Sequence, residues 1–455
     1  MYSWKRGSTQ YQEYVSIFHI NSTAEEEYNK TDDRVIYIED LEKREEIYGT
    51  CWECKEPGTG EFWCQSCNGK RFKENFKNWT SGNKDIDELI QDSQLNAVSS
   101  KKCLEWIPFE DLQDITYITR GGFGKVYSAT WAKGFIFYWD IDNQKYCRIE
   151  NVKVALKSLD DSIDTNLDLL NEIKSYLHMY TWDIIQYFGI TQDPNSKEYM
   201  MVLEYCECGN LRNYLNENYM DIKLKIRYLF HIARGLQNIH DAKKVHGDLH
   251  IGNILLNMNR KHVYISDLGM CRQANNNKEG GYGVLPYMSP EILRGHQYTI
   301  AADIYSFGIV MNELMSEETP YSNIPHDHTL AVGICKGLRP KVSEDIPKPL
   351  ADLIVKCWDA KVANRPTAKE LSQKLRKWKN EIRDMNGDFY SQIKGHKYKK
   401  RFNNEKISKN ISKNIETHPQ AIYTSRLLSF KNLPEPVNST DLVSECFDCV
   451  IDETA

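Results

Sequence analysis

The chain has 455 residues, of which 41% are hydrophobic and 27% charged, and its formal net charge at pH 7 is −6. This length and composition indicate a globular protein of two or three domains, and the acidic balance excludes the overall basic field that nucleic-acid binding favours. The sequence contains no apolar run of about 18 residues and no apolar segment after Met1, so it predicts neither a membrane-spanning helix nor a secretory signal. Together with thirteen mostly scattered cysteines, these features predict a cytoplasmic protein without an integral membrane segment or a nucleic-acid partner.

The first 80 residues contain a cysteine cluster. Residues 1–45 are polar and predict a weakly structured leader, with the pattern of a short charged helix near its end. Residues 46–80 contain two C-x-x-C pairs, formed by Cys51, Cys54, Cys64 and Cys67. Two such pairs can place four thiolates around one zinc ion, in a closed site that is structural and not catalytic. The alternative is four thiols without a metal.

Residues 81–110 are predicted to form a helical connector that leads into the next domain. Apolar residues have helical spacing over 84–98. Trp106 and Phe109 are expected to pack on the domain that follows.

A glycine-rich hairpin follows the connector, with Gly121, Gly122 and Gly124 between two alternating strands. Such a hairpin lets backbone amides approach phosphates without Cβ clashes, although glycine-rich hairpins without a ligand are common. The strand that follows the hairpin ends in Lys157. Residues 130–151, which lie before this strand, predict an extended hairpin. The apolar pattern of residues 167–180 predicts a helix that carries Glu172.

The main catalytic signal is the loop that contains Asp248 and Asn253, followed fourteen residues later by Asp267. Phosphoryl transfer from a nucleotide needs one carboxylate to orient the attacking hydroxyl, and an amide and a second carboxylate to hold metal ions. The two motifs, His246-Gly247-Asp248 and Asp267-Leu268-Gly269, resemble the H-R-D and D-F-G motifs of the eukaryotic protein kinases, with Gly247 and Leu268 as departures.

Three downstream motifs extend this resemblance over residues 111–376. They are Pro286-Tyr287-Met288-Ser289-Pro290-Glu291, Asp303-Ile304-Tyr305-Ser306-Phe307-Gly308, and Cys357-Trp358 followed by Asn364-Arg365-Pro366-Thr367. The last resembles the tyrosine-kinase-like group. A loop of the His-Gly-Asp type also resembles small-molecule phosphotransferases, but those lack the downstream motifs.

The resemblance implies an α+β bilobal kinase fold, with a β-rich N-lobe and a helical C-lobe, preceded by the small zinc-binding module. It also implies roles for single residues. Lys157, paired with Glu172, would hold the phosphates of ATP, and His250 would stand where a lysine usually touches the γ-phosphate. Asp248 would be the catalytic carboxylate, with Asn253 and Asp267 as Mg²⁺ ligands. The glycine loop would cover ATP, and the adenine would contact the following set: Val126, Ala155, Leu203, Leu255 and the backbone of Glu204 and Cys206.

The segment 377–455 is predicted to be a basic, largely irregular tail whose positive charge would suit an acidic partner. The pair Cys446 and Cys449 in this segment offers two ligands, which are too few to close a metal site. Residues 423–428 are predicted to dock transiently. The C-x-x-C leader and residues 420–428 together resemble an expanded family of tyrosine-kinase-like kinases in mycorrhizal fungi.

Two functions remain open at this point. The first is a protein kinase that uses ATP and Mg²⁺ to phosphorylate a protein hydroxyl in signal transduction, with serine and threonine favoured over tyrosine. The second is a pseudokinase, a nucleotide-dependent scaffold with a zinc-stabilised leader, which is motivated by Thr119, Gly247 and His250. Val284 stands where activation segments often carry threonine, and Tyr282 is the one acceptor expected there, so switching by loop phosphorylation is not predicted.

Overall fold

The structure of the protein is a computed structural model. It describes residues 36, 38–121, 124–158, 165–177, 179, 183–259, 261–273, 281–395 and 417–438. The chain divides into two compact units, Met1–Tyr205 and Cys206–Ala455. Gly122 and the pair Cys446 and Cys449 lie outside the described residues, as do most of the first 37 residues and the basic stretch 396–416.

The first unit is built on a six-stranded sheet with strand order β1-β7-β8-β6-β3-β2. Its strands are β1 (Glu105–Trp106), β2 (Leu112–Gly121), β3 (Gly124–Trp131), β4 (Phe135–Asp140), β5 (Lys145–Ile149), β6 (Val152–Ser158), β7 (Tyr187–Gln192) and β8 (Tyr199–Glu204). Its helices are α1 (Leu41–Tyr48), α2 (Gln65–Asn75), α3 (Lys84–Asn96) and α4 (Thr165–Leu177). Strands β4 and β5 form the predicted extended hairpin, apart from the sheet.

One face of this sheet is covered by residues that precede it in the chain. Strand pairing places Val154 opposite Ala129 and Leu156 opposite Val202, so these side chains share a face. They form a buried cluster with Ile107, and Phe109 packs against it. Trp106 contacts the ring of Tyr199 edge-on, with centroids 6.4 Å apart. The connector therefore packs on the sheet as predicted, and β1 also adds a parallel strand next to β7.

The cysteine module packs against the β4–β5 hairpin. Trp63 and Phe72 share a buried cluster with Ile136, and the ring of Phe72 stacks on Tyr146 with centroids 5.3 Å apart. The predicted start of the module at residue 46 falls inside α1. Buried Arg44 of this helix donates hydrogen bonds to the carbonyls of Gly58, Pro57 and Ile38. The end of the leader is thereby fixed to the module.

The second unit is mainly helical. Its helices are α5 (Leu211–Glu217), α6 (Ile222–Asp241), α7 (Pro290–Leu293), α8 (Ile300–Ser316), α9 (His328–Cys335), α10 (Lys348–Cys357), α11 (Ala368–Asp384) and α12 (Asp388–Gly395). Its short strands are β9 (Lys244–Val245), β10 (Ile254–Asn257), β11 (His262–Ile265), β12 (Arg272–Gln273), β13 (Gly281–Gly283) and β14 (Arg426–Leu428). Helix α6, buried along most of its length, packs on α8 and α11.

The predicted boundary at residue 376 lies inside α11. Thr367 and Glu370 form a capping box at its start, and the helix continues to Asp384 because Leu375, Trp378 and Ile382 are buried at helical spacing. Trp378 then stacks on Phe389 of α12 with centroids 4.4 Å apart. Within the described part of the chain, no helix combines the length and the apolar character needed to cross a membrane.

A partly buried ion pair joins the hairpin to the connector. The Arg148 guanidinium donates to both Glu105 oxygens at 2.7 Å, and burial raises the pKa of Glu105. We predict that Arg148→Met lowers the free energy of unfolding by about 3 kcal/mol, because the carboxylate is left without its partner. Adding Glu105→Gln should restore part of the loss in thermal unfolding. Lys145→Met, on an exposed side chain of the same hairpin, is the control; an equal loss in this variant would contradict the role of the pair.

Candidate active site

The backbone of the catalytic loop is held by one buried carboxylate. Asp303 is 1% exposed and accepts hydrogen bonds from the backbone N–H groups of His246 at 2.8 Å and Gly247 at 3.0 Å. The His240 ring lies 2.9 Å away from the same carboxylate. Burial raises the pKa of Asp303, but the hydrogen bonds from His240 and from the Gly247 N–H outweigh burial, and the net shift is downward. The carboxylate therefore stays ionised and fixes the loop.

Asp248 and the two predicted metal ligands lie on connected backbone. The Asn253 side chain donates its amide N–H to the carbonyl of Asp248 at 3.0 Å, which leaves its Oδ1 as the acceptor. The carbonyl of Asn253 accepts from the N–H and the hydroxyl of Ser266, both at 2.9 Å. Asp267 follows directly and adopts the left-handed conformation, with φ +62°. These contacts link the loop that carries Asp248 and Asn253 to the segment that carries Asp267.

His250 is neutral and has a defined tautomer. Burial, together with the charge of Arg212, lowers the pKa of His250 to about 3. The backbone N–H of Gly252 donates to Nδ1 at 3.1 Å, so the ring proton is on Nε2. This Nε2 lies 3.9 Å from an Asp248 oxygen. His250 can therefore act as a hydrogen-bond donor at neutral pH without carrying a charge.

The substitution of glycine for arginine at position 247 has a backbone reason. Gly247 has φ +77°, and a Cβ built there would lie 3.2 Å from the carbonyl oxygen of Met270. An L-residue would be strained in this conformation.

Helix α7 is tied to the segment before α11 by a buried ion pair. Arg365, whose side chain is fully buried, donates to the two oxygens of Glu291 at 2.6 and 2.9 Å. Burial raises the pKa of Glu291, but Arg365 outweighs burial and the net shift is downward. The pair fixes the end of the activation segment.

In the first unit, four of the predicted nucleotide residues share one face of the sheet. Strand pairing places Val126 opposite Lys157 and Ala155 opposite Leu203. Since Ala155 and Lys157 are two residues apart, all four side chains point to the face opposite the buried cluster around Val154. The sequence pattern thus places three apolar side chains beside one lysine.

Lys157 is paired as the sequence predicts. Its ammonium donates to the Glu172 oxygens at 3.1 and 3.0 Å, and both side chains are buried. The hydroxyl of Tyr187 donates to the same carboxylate at 2.6 Å. Sequence reasoning did not identify Tyr187, because a tyrosine in a buried strand carries no signal for a distant helix.

Helix α4, which carries Glu172, is held at its C-terminal end by the connector. Lys102 donates to the carbonyls of Tyr176 at 2.9 Å and Leu177 at 3.1 Å, and also to that of Met179. The hydroxyl of Tyr176 donates in return to the carbonyl of Lys101 at 3.0 Å. A hydrogen-bond donor at a helix C-terminus satisfies carbonyls that have no intrahelical partner, and burial lowers the pKa of Lys102 to about 7. Lys102 had no distinguishing feature in the sequence.

The remaining predicted nucleotide residues that the structure describes lie in strands or next to them. Gly121 pairs with Gly124 at the tip of the β2–β3 hairpin. The N–H of Glu204 donates to the carbonyl of Gln186 at 2.9 Å, and the carbonyl of Cys206 accepts from Gly209 at 2.9 Å. Leu255 lies on β10 opposite Tyr264.

The four predicted zinc ligands come together in the first unit. The sulfur atoms of Cys51, Cys54, Cys64 and Cys67 all lie within 4.8 Å of one another. The distance from Cys51 to Cys67 is 3.9 Å and that from Cys54 to Cys64 is 3.6 Å. Ligands about 2.3 Å from a tetrahedral zinc ion lie about 3.8 Å apart, so the cluster has the size of such a site.

A segment of the C-terminal tail reaches Asp248. The hydroxyl of Ser425 donates to Asp248 Oδ2 at 2.5 Å, and strand β14, which follows Ser425, pairs with β13 of the activation segment. The sequence predicted transient docking for this region but did not indicate where it would bind.

Residues 112–375 match the family described as protein tyrosine and serine/threonine kinase. The chain belongs to this kinase family. The predicted fold is thereby confirmed, with a sheet-rich N-lobe and a helical C-lobe.

Several curated kinases are similar to this one over the same region. The probable serine/threonine-protein kinase gdt2 of Dictyostelium discoideum is 30% identical over 280 residues, which are 59% of this chain and 16% of that protein. The serine/threonine-protein kinase VIK of Arabidopsis thaliana is 28% identical over 298 residues, 62% of this chain and 64% of that protein. The mitogen-activated protein kinase kinase kinase dlk-1 of Caenorhabditis elegans is 28% identical over 284 residues, 61% of this chain and 28% of that protein. The matched region is less than two thirds of each relative.

The Lys102 contact predicts a change in the dynamics of α4. Lys102→Met should raise the amide hydrogen-exchange rate in the last turn of α4 by about tenfold, because the carbonyls there lose a buried hydrogen-bond donor. Lys101→Met, a neighbouring lysine with an exposed side chain, should leave the exchange rate unchanged. Equal exchange in the wild type and in Lys102→Met would show that the contact does not stabilise the helix.

Proposed function

We propose that this kinase transfers the γ-phosphate of ATP to a protein hydroxyl, with Asp248 as the catalytic carboxylate. The observation that carries the proposal is the 2.5 Å hydrogen bond from a serine hydroxyl to Asp248. This is the contact that an acceptor hydroxyl needs before it attacks a phosphorus atom. Attack by the hydroxyl oxygen forms the new P–O bond, the bond from the γ-phosphorus to the bridging oxygen breaks to release ADP, and Asp248 takes the hydroxyl proton.

Other residues of the chain would position the nucleotide. Lys157, fixed by Glu172, is placed to hold phosphate oxygens, and Val126, Ala155 and Leu203 on the same sheet face offer an apolar surface to the adenine. His250 would donate a hydrogen bond from Nε2 to the γ-phosphate. Catalysis would then come mainly from alignment and charge neutralisation.

The donor set around Asp248 suits Mg²⁺. Asn253 Oδ1 and the Asp267 carboxylate are hard oxygen ligands, and Mg²⁺ is bound by a few such ligands together with substrate phosphates. The Asn253 amide nitrogen is held by the Asp248 carbonyl, which orients the oxygen of the amide away from that contact. When bound, Mg²⁺ would neutralise negative charge on the phosphates.

An active enzyme is favoured over a pseudokinase. Three departures motivated the pseudokinase alternative. Gly247 suits the positive φ of its backbone, and His250 still provides a hydrogen-bond donor at Nε2. Thr119 remains, on a strand that keeps the Gly121–Gly124 pairing.

We further propose a cytoplasmic, tyrosine-kinase-like enzyme of signal transduction that resembles the expanded mycorrhizal fungal family and acts on serine or threonine. The C-x-x-C module and the sequence of residues 420–428 support this placement. The basic stretch within 396–416 would contact an acidic partner.

Replacement of Asp248 tests the catalytic assignment. Asp248→Asn should lower kcat for a generic protein substrate at least a hundredfold, because the amide cannot accept the hydroxyl proton. Phosphate transfer from labelled ATP with Mg²⁺ measures this effect. Asp352→Asn, an exposed aspartate on α10, should leave the rate unchanged. Nucleotide binding without transfer in the wild type would favour the pseudokinase.

We also propose that the four clustered cysteines bind a structural zinc ion. The Cys64 thiol donates to the Cys51 sulfur and lowers the pKa of Cys51 to about 5, whereas the same contact and burial raise the pKa of Cys64. Burial and the charge on Cys51 raise the pKa of Cys67 to about 12. A divalent cation would let all four sulfurs be thiolates, because it offsets their mutual repulsion.

Metal content tests the zinc proposal. The purified full chain should hold one zinc ion, and Cys64→Ser with Cys67→Ser should remove it, because two thiolates cannot close a tetrahedral site. Cys103→Ala replaces a buried cysteine outside the cluster and should retain the metal. A zinc-free wild type, measured by atomic emission after purification without chelators, would refute the site.

A further inference from the structure

Ser425 occupies the position of a phosphoacceptor. Its hydroxyl donates to Asp248 Oδ2 at 2.5 Å and lies 3.5 Å from Nε2 of His250. Since the His250 proton is on Nε2, that nitrogen can donate to the serine oxygen while the serine proton points to Asp248. The hydroxyl is thereby oriented with its proton on the catalytic carboxylate.

The residues after Ser425 are held by the activation segment. Strand β14 pairs antiparallel with β13, with Arg426 opposite Gly283 and Leu428 opposite Gly281. The Tyr282 hydroxyl donates to the carbonyl of Ser425 at 3.1 Å. Backbone pairing of an extended peptide with an exposed strand gives affinity without requiring particular side chains. The pairing also fixes the register, which places a serine and not its neighbour at Asp248.

The residues before Ser425 are anchored by side chains. The hydroxyl of Tyr423 donates to the carbonyl of Pro320 at 2.7 Å, and its ring packs edge-on against His326 with centroids 4.8 Å apart. The Arg212 guanidinium lies 4.7 Å from the centroid of the same ring. Arg426, on the other side of Ser425, donates to the carbonyl of His326 at 2.7 Å.

The contacts continue well beyond the serine in both directions. The N–H of His418 donates to the carbonyl of Ser322 at 2.8 Å. Arg294 forms an ion pair with Glu435 through its two terminal guanidinium nitrogens. The side-chain amide of Asn438 donates a hydrogen bond to Asp359 Oδ1 at 3.0 Å. Residues 417–438 are therefore built into the second unit as one docked segment, and Ser425 is a fixed part of it.

We propose that Ser425 is a phosphorylation site of this kinase and that the chain modifies it in cis. The proposal rests on the proposed function, because it assigns the first acceptor of the same reaction. The Ser425 oxygen attacks the γ-phosphorus of ATP, the bond to the ADP oxygen breaks, and the hydroxyl proton passes to Asp248. The products are phosphoserine and ADP, so the step needs no other reactant.

The distance between the docked backbone and Asp248 selects the type of acceptor hydroxyl. In serine the oxygen is two bonds from Cα, whereas the phenol oxygen of tyrosine is about 6.5 Å from its Cα, a distance that follows from standard bond lengths. A strand fixed by the β13 pairing, with its hydroxyl already at Asp248, therefore fits serine or threonine and leaves no room for tyrosine. This agrees with the preference for serine and threonine in the proposed function.

Phosphorylation would also weaken the docking of the segment. Phosphoserine carries a charge of about −1.5 to −2, and it would lie beside the carboxylate of Asp248. Like-charge repulsion at this distance opposes docking. The unmodified segment competes with protein substrates for Asp248, so modification of Ser425 would increase access to the site.

The test uses the purified full chain with ATP and Mg²⁺, a generic protein substrate, and mass spectrometry of the tail. We expect phosphate at Ser425, formed at a rate that does not change when the protein is diluted tenfold. Wild-type chain mixed with Asp248→Asn chain should leave the Ser425 of the inactive chain unmodified. Ser425→Thr should retain the modification and Ser425→Ala should abolish it. Thr424→Ala, which replaces an exposed neighbour, should modify Ser425 at the wild-type rate.

A second variant tests the docking. Tyr423→Ala should lower the rate of Ser425 phosphorylation about tenfold, which corresponds to the loss of about 1.4 kcal/mol of docking free energy. Transfer to the added substrate without phosphate at Ser425, or with a Ser425 rate proportional to concentration, would overturn the proposal while the proposed function stands. No transfer to either acceptor would instead overturn the proposed function.

Discussion

The buried carboxylate of Asp303 is the constraint on which the second unit depends. Backbone N–H groups of His246 and Gly247 converge on it, and a loop with two N–H groups fixed at one point has little freedom left. The His246 ring extends this control, because its Nδ1 accepts from the N–H of Asp248 and its Nε2 bonds to the carbonyl of Ser266. The positive φ of Gly247 belongs to the same arrangement. Preorganised polar groups of this kind need no rearrangement during the reaction.

In the first unit, residues outside the candidate site also hold functional side chains in place. The connector packs on one sheet face, adds a strand and holds the end of α4 through Lys102, while the cysteine module packs on the β4–β5 hairpin. Glu172 is on that helix, and its pair with Lys157 is buried. A buried ion pair is stable only when both partners are held in good geometry. The connector residues before 111 thus support the kinase residues that follow.

The docked tail combines two functions that are usually separate. Strand pairing with β13 and the anchors around Tyr423 give it affinity, and a small hydroxyl side chain at Asp248 makes it a substrate. Burial, together with the charges of Asp248 and Asp267, raises the pKa of Tyr282 to about 12. This tyrosine, the acceptor expected in the activation segment, is occupied by its hydrogen bond to the tail. Regulation would then depend on the tail and not on the loop.

The sequence by itself indicated the fold and offered candidates for the chemically active groups, because phosphoryl transfer restricts which residue types can stand at Asp248, Asn253 and Asp267 and in what order. The sequence also indicated the pairing of Lys157 with Glu172, through the resemblance to the kinase family, and the grouping of the four cysteines, through the two C-x-x-C spacings. Tertiary structure alone decided that Lys102 holds α4, that Tyr187 bonds to Glu172, and that Ser425 reaches Asp248. These contacts join residues 75, 15 and 177 positions apart. Hydrogen bonds between such positions depend on strand register and helix packing, which leave no periodic pattern in the chain.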